Sequence, residues 1–125
     1  MTLTDIPYWY WELFLNPISR LGIEVVHKGE SHPIFFPSES AIRAESVSLF
    51  PGCEALHRGY VIIGICGQGS GDNYFLDLNT SSENPPVVRL EHEYQTIDEV
   101  LEWGCTKFQD RFSDFLDQAK VVDRW

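Results

Sequence analysis

The sequence lacks a long apolar run: the longest unbroken one, Tyr60 to Ile63, is far too short to span a bilayer. No positively charged start leads into an apolar stretch, so no signal peptide is expected and the protein is expected in the cytoplasm. Cysteine is scarce. Cys53, Cys66 and Cys105 are odd in number, widely spaced and without a Cys-x-x-Cys pair, which excludes a disulfide framework and a zinc knuckle and leaves free thiols in a reducing compartment. Internal repeats and low-complexity linkers are also missing. Bases are few: nine Lys and Arg stand against nineteen Asp and Glu, a net charge of −10. That balance argues against a nucleic-acid binder and against a polybasic membrane anchor, both of which need clustered cations. A basic partner protein suits it better, although an acidic surface also serves simply to stay solvated.

What is present is a foldable chain. Its 125 residues are 43% hydrophobic and 14% aromatic, which excludes intrinsic disorder and fits one domain over residues 1–125. Charge is uneven: residues 1–66 carry seven acids and four bases, residues 67–125 twelve and five. The acidic face therefore belongs mainly to the second half.

Periodicity gives the elements. Asp5 to Leu15 reads as a short helix, with Ile6, Trp9 and Leu13 at helical spacing, stopped by Asn16-Pro17. Four consecutive aromatics, Tyr8 to Trp11, point all around such a helix, so at least one ring should reach the surface or a partner. Ile23–His27 and Pro33–Phe36 read as strands joined by a hairpin loop over residues 28–32. Residues 37–49 read as a turn into a short helix, ended by Phe50-Pro51-Gly52. Tyr60–Cys66 is β-branched and apolar enough for a central strand covered on both faces. Strands over 73–78 and 86–90 follow. The rest reads as helical, opened by the capping box Thr96-x-x-Glu99 and interrupted at Gly104. One apolar face there comprises Ile97, Val100, Leu101, Phe108, Phe112, Phe115 and Leu116. The expected architecture is α+β, with helices packed on a mostly antiparallel twisted sheet.

The segment Gly64 to Asp72 is glycine-rich, yet no lysine, no magnesium-binding pattern and no following helix accompany it, and Asp72 would repel a phosphate; nucleotide binding is excluded. Asp72, Asn73, Asp77 and Asn79 offer oxygens, but Tyr74, Phe75 and Leu76 between them want a pleated, half-buried surface, so no calcium loop is expected. Glycines with positive φ at a hairpin turn, with Asp72 capping backbone amides there, form the simpler reading. Ser70 sits between glycines without a nucleophile-elbow pattern. Cys53 with His57 four residues on, and His92 between Glu91 and Glu93, are the remaining chemical suggestions; neither comes with an oxyanion-hole or metal-ligand pattern. No catalytic, metal or cofactor residues are assigned.

Six short motifs occur in order in the second half: Ile62-Ile63-Gly64, then Gly69-Ser70-Gly71-Asp72, Tyr74-Phe75-Leu76-Asp77-Leu78, Pro85-Pro86-Val87-Val88, His92-Glu93 and Phe112-Ser113-Asp114-Phe115-Leu116. Together they make Tyr60 to Leu116 resemble the SUKH superfamily, which includes fungal cell-wall-assembly regulators of the Smi/Knr type and many bacterial toxin-immunity proteins. Residues 23–52 fit more loosely, and residues 1–20 stand as an atypical, shortened helical start. The resemblance implies an α+β domain with no catalytic residues and no cofactor, whose structural motif residues include Gly69, Gly71, Asp72, Asp77, Phe112 and Phe115. It further implies a cytoplasmic immunity protein, monomeric or weakly dimeric, that binds and neutralises a cognate toxin. A basic, nuclease-type toxin would gain association rate against an acidic binder. Glu91, Glu93, Asp98, Glu99 and Glu102 are the candidate partner-binding residues. The alternative is a small enzyme or ligand-binding domain that uses the loop Gly67 to Asp72 with His92.

Overall fold

Side-chain alternation sets the first strands. In β1 (Gly22–His27) Ile23 and Val25 are buried while Glu24 and Val26 face solvent, the pattern of a strand with one covered face. The computed structural model describes residues 7–10, 22–36, 39–48, 50–118 and 120–122. β1 turns into β2 (Glu30–Phe35) through Lys28 and Gly29 alone, both with positive φ (51° and 79°), and His27 pairs with Glu30. That is the primed hairpin geometry, whose twist matches the strands it joins. The loop is thus two residues rather than five: Glu30, Ser31 and His32 belong to β2, their polar side chains having hidden the strand.

Two helices follow. α1 (Glu39–Ser48) matches expectation; α2 (Gly52–His57) does not. Phe50-Pro51-Gly52 reads as a stop, yet Pro51 stands at the N-cap of α2, where a missing N–H is no loss. The two helices pack on each other and on β3 (Tyr60–Cys66). Val61, Ile62 and Ile63 are buried in succession, so β3 is covered on both faces as its composition predicts. β4 (Asn73–Asp77) and β5 (Val87–Leu90) follow, then α3 (Ile97–Trp103). Thr96 caps the helix as expected, the Glu99 amide donating to its Oγ1 at 3.2 Å. The Glu99 carboxylate, however, accepts from the Thr96 hydroxyl (3.0 Å) rather than from the Thr96 backbone amide, so a side-chain bond replaces the second arm of the box.

Beyond Gly104 the helical expectation fails. Cys105–Gln109 is strand β6, paired antiparallel to β5, and only Phe112–Gln118 is helical (α4). The helical spacing of Phe108, Phe112 and Phe115 spans two elements. Phe108 reaches Phe115 from β6 (ring centroids 6.2 Å apart), and Phe112 stacks on Phe115 at 6.0 Å. A last strand, β7 (Lys120–Val122), pairs with β1 and has no counterpart in the sequence reading.

The described strands form one antiparallel sheet in the order β6-β5-β4-β3-β2-β1-β7. With helices packed against it the fold is α+β, as expected. Its core includes Ile23, Ile34, Ile62, Phe75, Leu76, Leu90, Val100 and Phe115, all essentially inaccessible. Of the N-terminal helix expected over residues 5–15, residues 8–10 are helical and residues 5, 6 and 11–15 lie outside the described residues. Tyr10 is fully buried and donates its hydroxyl to the Ile62 carbonyl, whereas Tyr8 is 74% exposed, so one ring of the aromatic cluster does reach the surface. Among the described residues no helix is long and apolar enough to cross a membrane.

Candidate functional site

The loop between β3 and β4 spans residues 67–72. Gly69 and Gly71 take positive φ (77° and 82°), as a tight reversal demands. The Gly67 amide donates to the Pro33 carbonyl (2.9 Å) and the Gly69 amide to the Cys66 carbonyl (3.1 Å). Asp72 departs from its expected role. It caps no amide of its own loop; its Oδ1 accepts from the His92 amide at 3.1 Å and lies 2.7 Å from His92 Nδ1. The carboxylate therefore pins the segment after β5 to the glycine turn, with Gly71 packed against the His92 ring so that a β-carbon there would come within 3.0 Å of it. Among the described residues no hydroxyl or thiol bonds to His92 Nε2, and Ser70 Oγ is occupied by the Asp72 amide (3.1 Å). The constellation is an acid–histidine staple without a nucleophile.

Asp77 is half-buried at the end of β4, where Oδ1 accepts from the Asn79 amide (3.0 Å) and Oδ2 from the Thr80 hydroxyl (2.9 Å). This is an Asx-type turn, a structural use of the carboxylate. Phe112 and Phe115 are buried core residues of α4, Phe112 also stacking on Trp9 at 5.6 Å. Cys53 is half-buried and His57 exposed on α2, and no hydrogen bond among the described residues joins them to Asp72 or His92. At the end of β3, burial pushes the Cys66 thiol up, but the Ser70 hydroxyl and the amides of Ser70, Gln68 and Gly69 outweigh it and hold the thiol below its usual range. Among the described residues no group of three metal-ligating side chains gathers.

The five candidate acids surround α3 but differ in freedom. Asp98 is tied to Arg58 of the α2–β3 turn (2.7 Å), and Glu99 to Thr96. Glu91 is half-buried, and its amide donates to the Gly104 carbonyl (2.8 Å). Glu93 and Glu102 are exposed, with no ion-pair partner among the described residues. α3 has acids in its first turn and no base in its last.

Sequence reasoning passes over two residues here, Tyr94 and Trp103. Trp103 ends α3 with 62% of its surface exposed, and its ring centroid lies 6.3 Å from that of Tyr94. A signal existed: Ile97, Val100 and Leu101 define the inward side of α3, and Trp103 falls off that stripe, one turn beyond Glu99. Tyr94 is held above the usual tyrosine range by partial burial and by Glu91, with Glu93 and Glu99 adding charge. No family model, curated protein or solved structure matches the chain.

Proposed function

We propose that this is a non-catalytic, SUKH-type protein-binding domain acting as an immunity protein, which neutralises a basic, nuclease-type toxin through the acidic surface around α3. The observation that carries this reading is the pair Glu93 and Glu102, exposed at and just before α3 and with no ion-pair partner among the described residues. Exposed acids attract an oppositely charged surface over a distance of about a Debye length, roughly 8–10 Å near physiological salt. The rival reading, a small enzyme or ligand-binding domain that uses residues 67–72 with His92, gains the Asp72–His92 contact, with no nucleophile bonded to it among the described residues. The test is kinetic. Once a partner is captured by cross-linking and identified, its association rate with Glu93→Lys/Glu102→Lys should fall roughly tenfold, and the wild-type rate should fall with rising salt. A wild-type rate in the variant, together with indifference to salt, makes this acidic face a solvated surface only.

A further inference from the structure

We infer that Trp103 and Tyr94 form an aromatic cradle for an arginine side chain presented by a basic protein segment, with Glu99, one turn before Trp103, receiving the guanidinium. The inference rests on the proposed binding reading and specifies which residue chemistry that surface selects.

Three features converge. First, Trp103 is exposed although α3 is already anchored: Val100 is fully buried, and Ile97 and Leu101 pack against the core. An aromatic of this size gains the helix nothing by facing water, and exposed tryptophans that recur in recognition sites do so by burying against a partner. Second, the neighbouring ring is fixed in advance. A β-carbon on Gly104 would come within 2.7 Å of Tyr94 Cε2 and 3.1 Å of Glu91 Cβ, so only glycine lets Tyr94 lie against the end of α3. Tyr94 is half-buried there and packs against the core, which leaves little rotamer freedom to lose on binding. Third, the charge around the rings is of one sign. Glu91, Glu93 and Glu99 all act electrostatically on Tyr94, and Glu99 lies one helical turn before Trp103 on the same side of the helix.

A π-face surrounded by carboxylates selects a cation, and a planar one best. Guanidinium stacks on indole, sheds water more readily than ammonium and meets a carboxylate through parallel N–H groups; lysine supplies only a point charge. The same rim repels phosphate and anionic headgroups, which disfavours a nucleic acid or a membrane. It also repels its own copy, which disfavours self-association through this face.

The test uses the full chain and three blocked decapeptides in which glycine alternates with arginine, lysine or citrulline, titrated calorimetrically at low and high salt. The arginine peptide should bind more tightly than the lysine peptide, and the citrulline peptide should not bind. Trp103→Ala should weaken the arginine peptide roughly three- to fivefold and erase its advantage over lysine, while Trp103→Phe should keep part of both. Glu93→Gln/Glu102→Gln should weaken the arginine and lysine peptides alike. Circular dichroism and an unchanged melting temperature establish that the variants remain folded. An arginine peptide that fails to bind at millimolar concentration, or one whose affinity and preference survive Trp103→Ala, overturns the cradle. If the peptides bind, Trp103→Ala changes nothing and the glutamine variant still weakens them, the acidic binding surface stands without the cradle. If neither variant has an effect, both readings fall.

Discussion

At the end of β3 one thiol meets three backbone amides and a hydroxyl; at the start of β6 another meets burial and the charge of Asp77. The first is held below the usual cysteine range and the second above it, because hydrogen bonds to sulfur favour the thiolate whereas desolvation and a nearby carboxylate disfavour it. The expected outcome is two separate alkylation profiles. With iodoacetamide and peptide-level mass spectrometry across a pH series, Cys66 should reach half its maximal rate at lower pH than Cys105, and Ser70→Ala should move the Cys66 midpoint upward while leaving that of Cys105. The midpoint is the quantity to read, since burial slows the absolute rate. Coincident profiles would contradict the bonding described for residues 66–70. None of this was visible in the spacing of the cysteines. Gly67 to Asp72 was legible as a hairpin turn, but what a turn's amides point at is decided by its folded path. Likewise Asp72 could be read as a capping carboxylate, whereas the amide that donates to it, that of His92, lies twenty residues away and comes near only through the pairing of β4 with β5.

At the scale of elements, α4 offers the clearest test. Phe112 is buried between Trp9 and Phe115. Phe112→Ala should destabilise the protein by about 3–5 kcal/mol, the range for deep aromatic truncations, and lower the urea midpoint accordingly. A shift below about 1 kcal/mol would show that α4 is not seated through this ring. The α4 boundaries also show where sequence pattern misleads. Phe108, Phe112 and Phe115 satisfy a helical repeat, and yet Phe108 belongs to a strand; the three converge because β6 and α4 fold back on each other, which gives a strand–turn–helix unit the same apolar spacing as one continuous helix. β1, with its alternation, and β3, with its continuous apolar run, were legible because β-branched residues filled them. Six-residue α2 was not, since Pro51 both stops one helix and opens another. The acids of α3 were legible as a cluster because their spacing is local. Tyr94 and Trp103 were not, because their pairing depends on how the segment before α3 folds back over Gly104.

For the whole molecule, acidity acts through the contact between the first hairpin and β6. The His27 ring lies 4.4 Å from that of Phe108 and 6.2 Å from that of His32, centroid to centroid. Burial, then the charges of Lys28, His32 and Arg89, hold His27 below the usual histidine range against a smaller opposite pull from Glu30. The unfolded chain therefore takes up this proton more readily than the folded one. The contribution is intact above the unfolded value of about 6.5 and is lost as pH falls from there toward the lower folded value. Denaturation midpoints should decline between pH 7.5 and 5.5, and His27→Gln should decline less steeply; equal slopes would remove His27 as the cause. The order of the sheet has a consequence in time. β1 lies inside the sheet only because β7 borders it, and Gly22 pairs with Val122, a hundred residues later. A ribosome adding roughly 5–20 residues per second delivers β7 some 5–20 s after β1. Throughout that interval the newborn hairpin shows one bare row of amides and carbonyls to its surroundings, the kind of edge on which neighbouring nascent chains stick. Synthesis slowed between residues 22 and 122 would lengthen that exposure without altering a single contact of the finished fold.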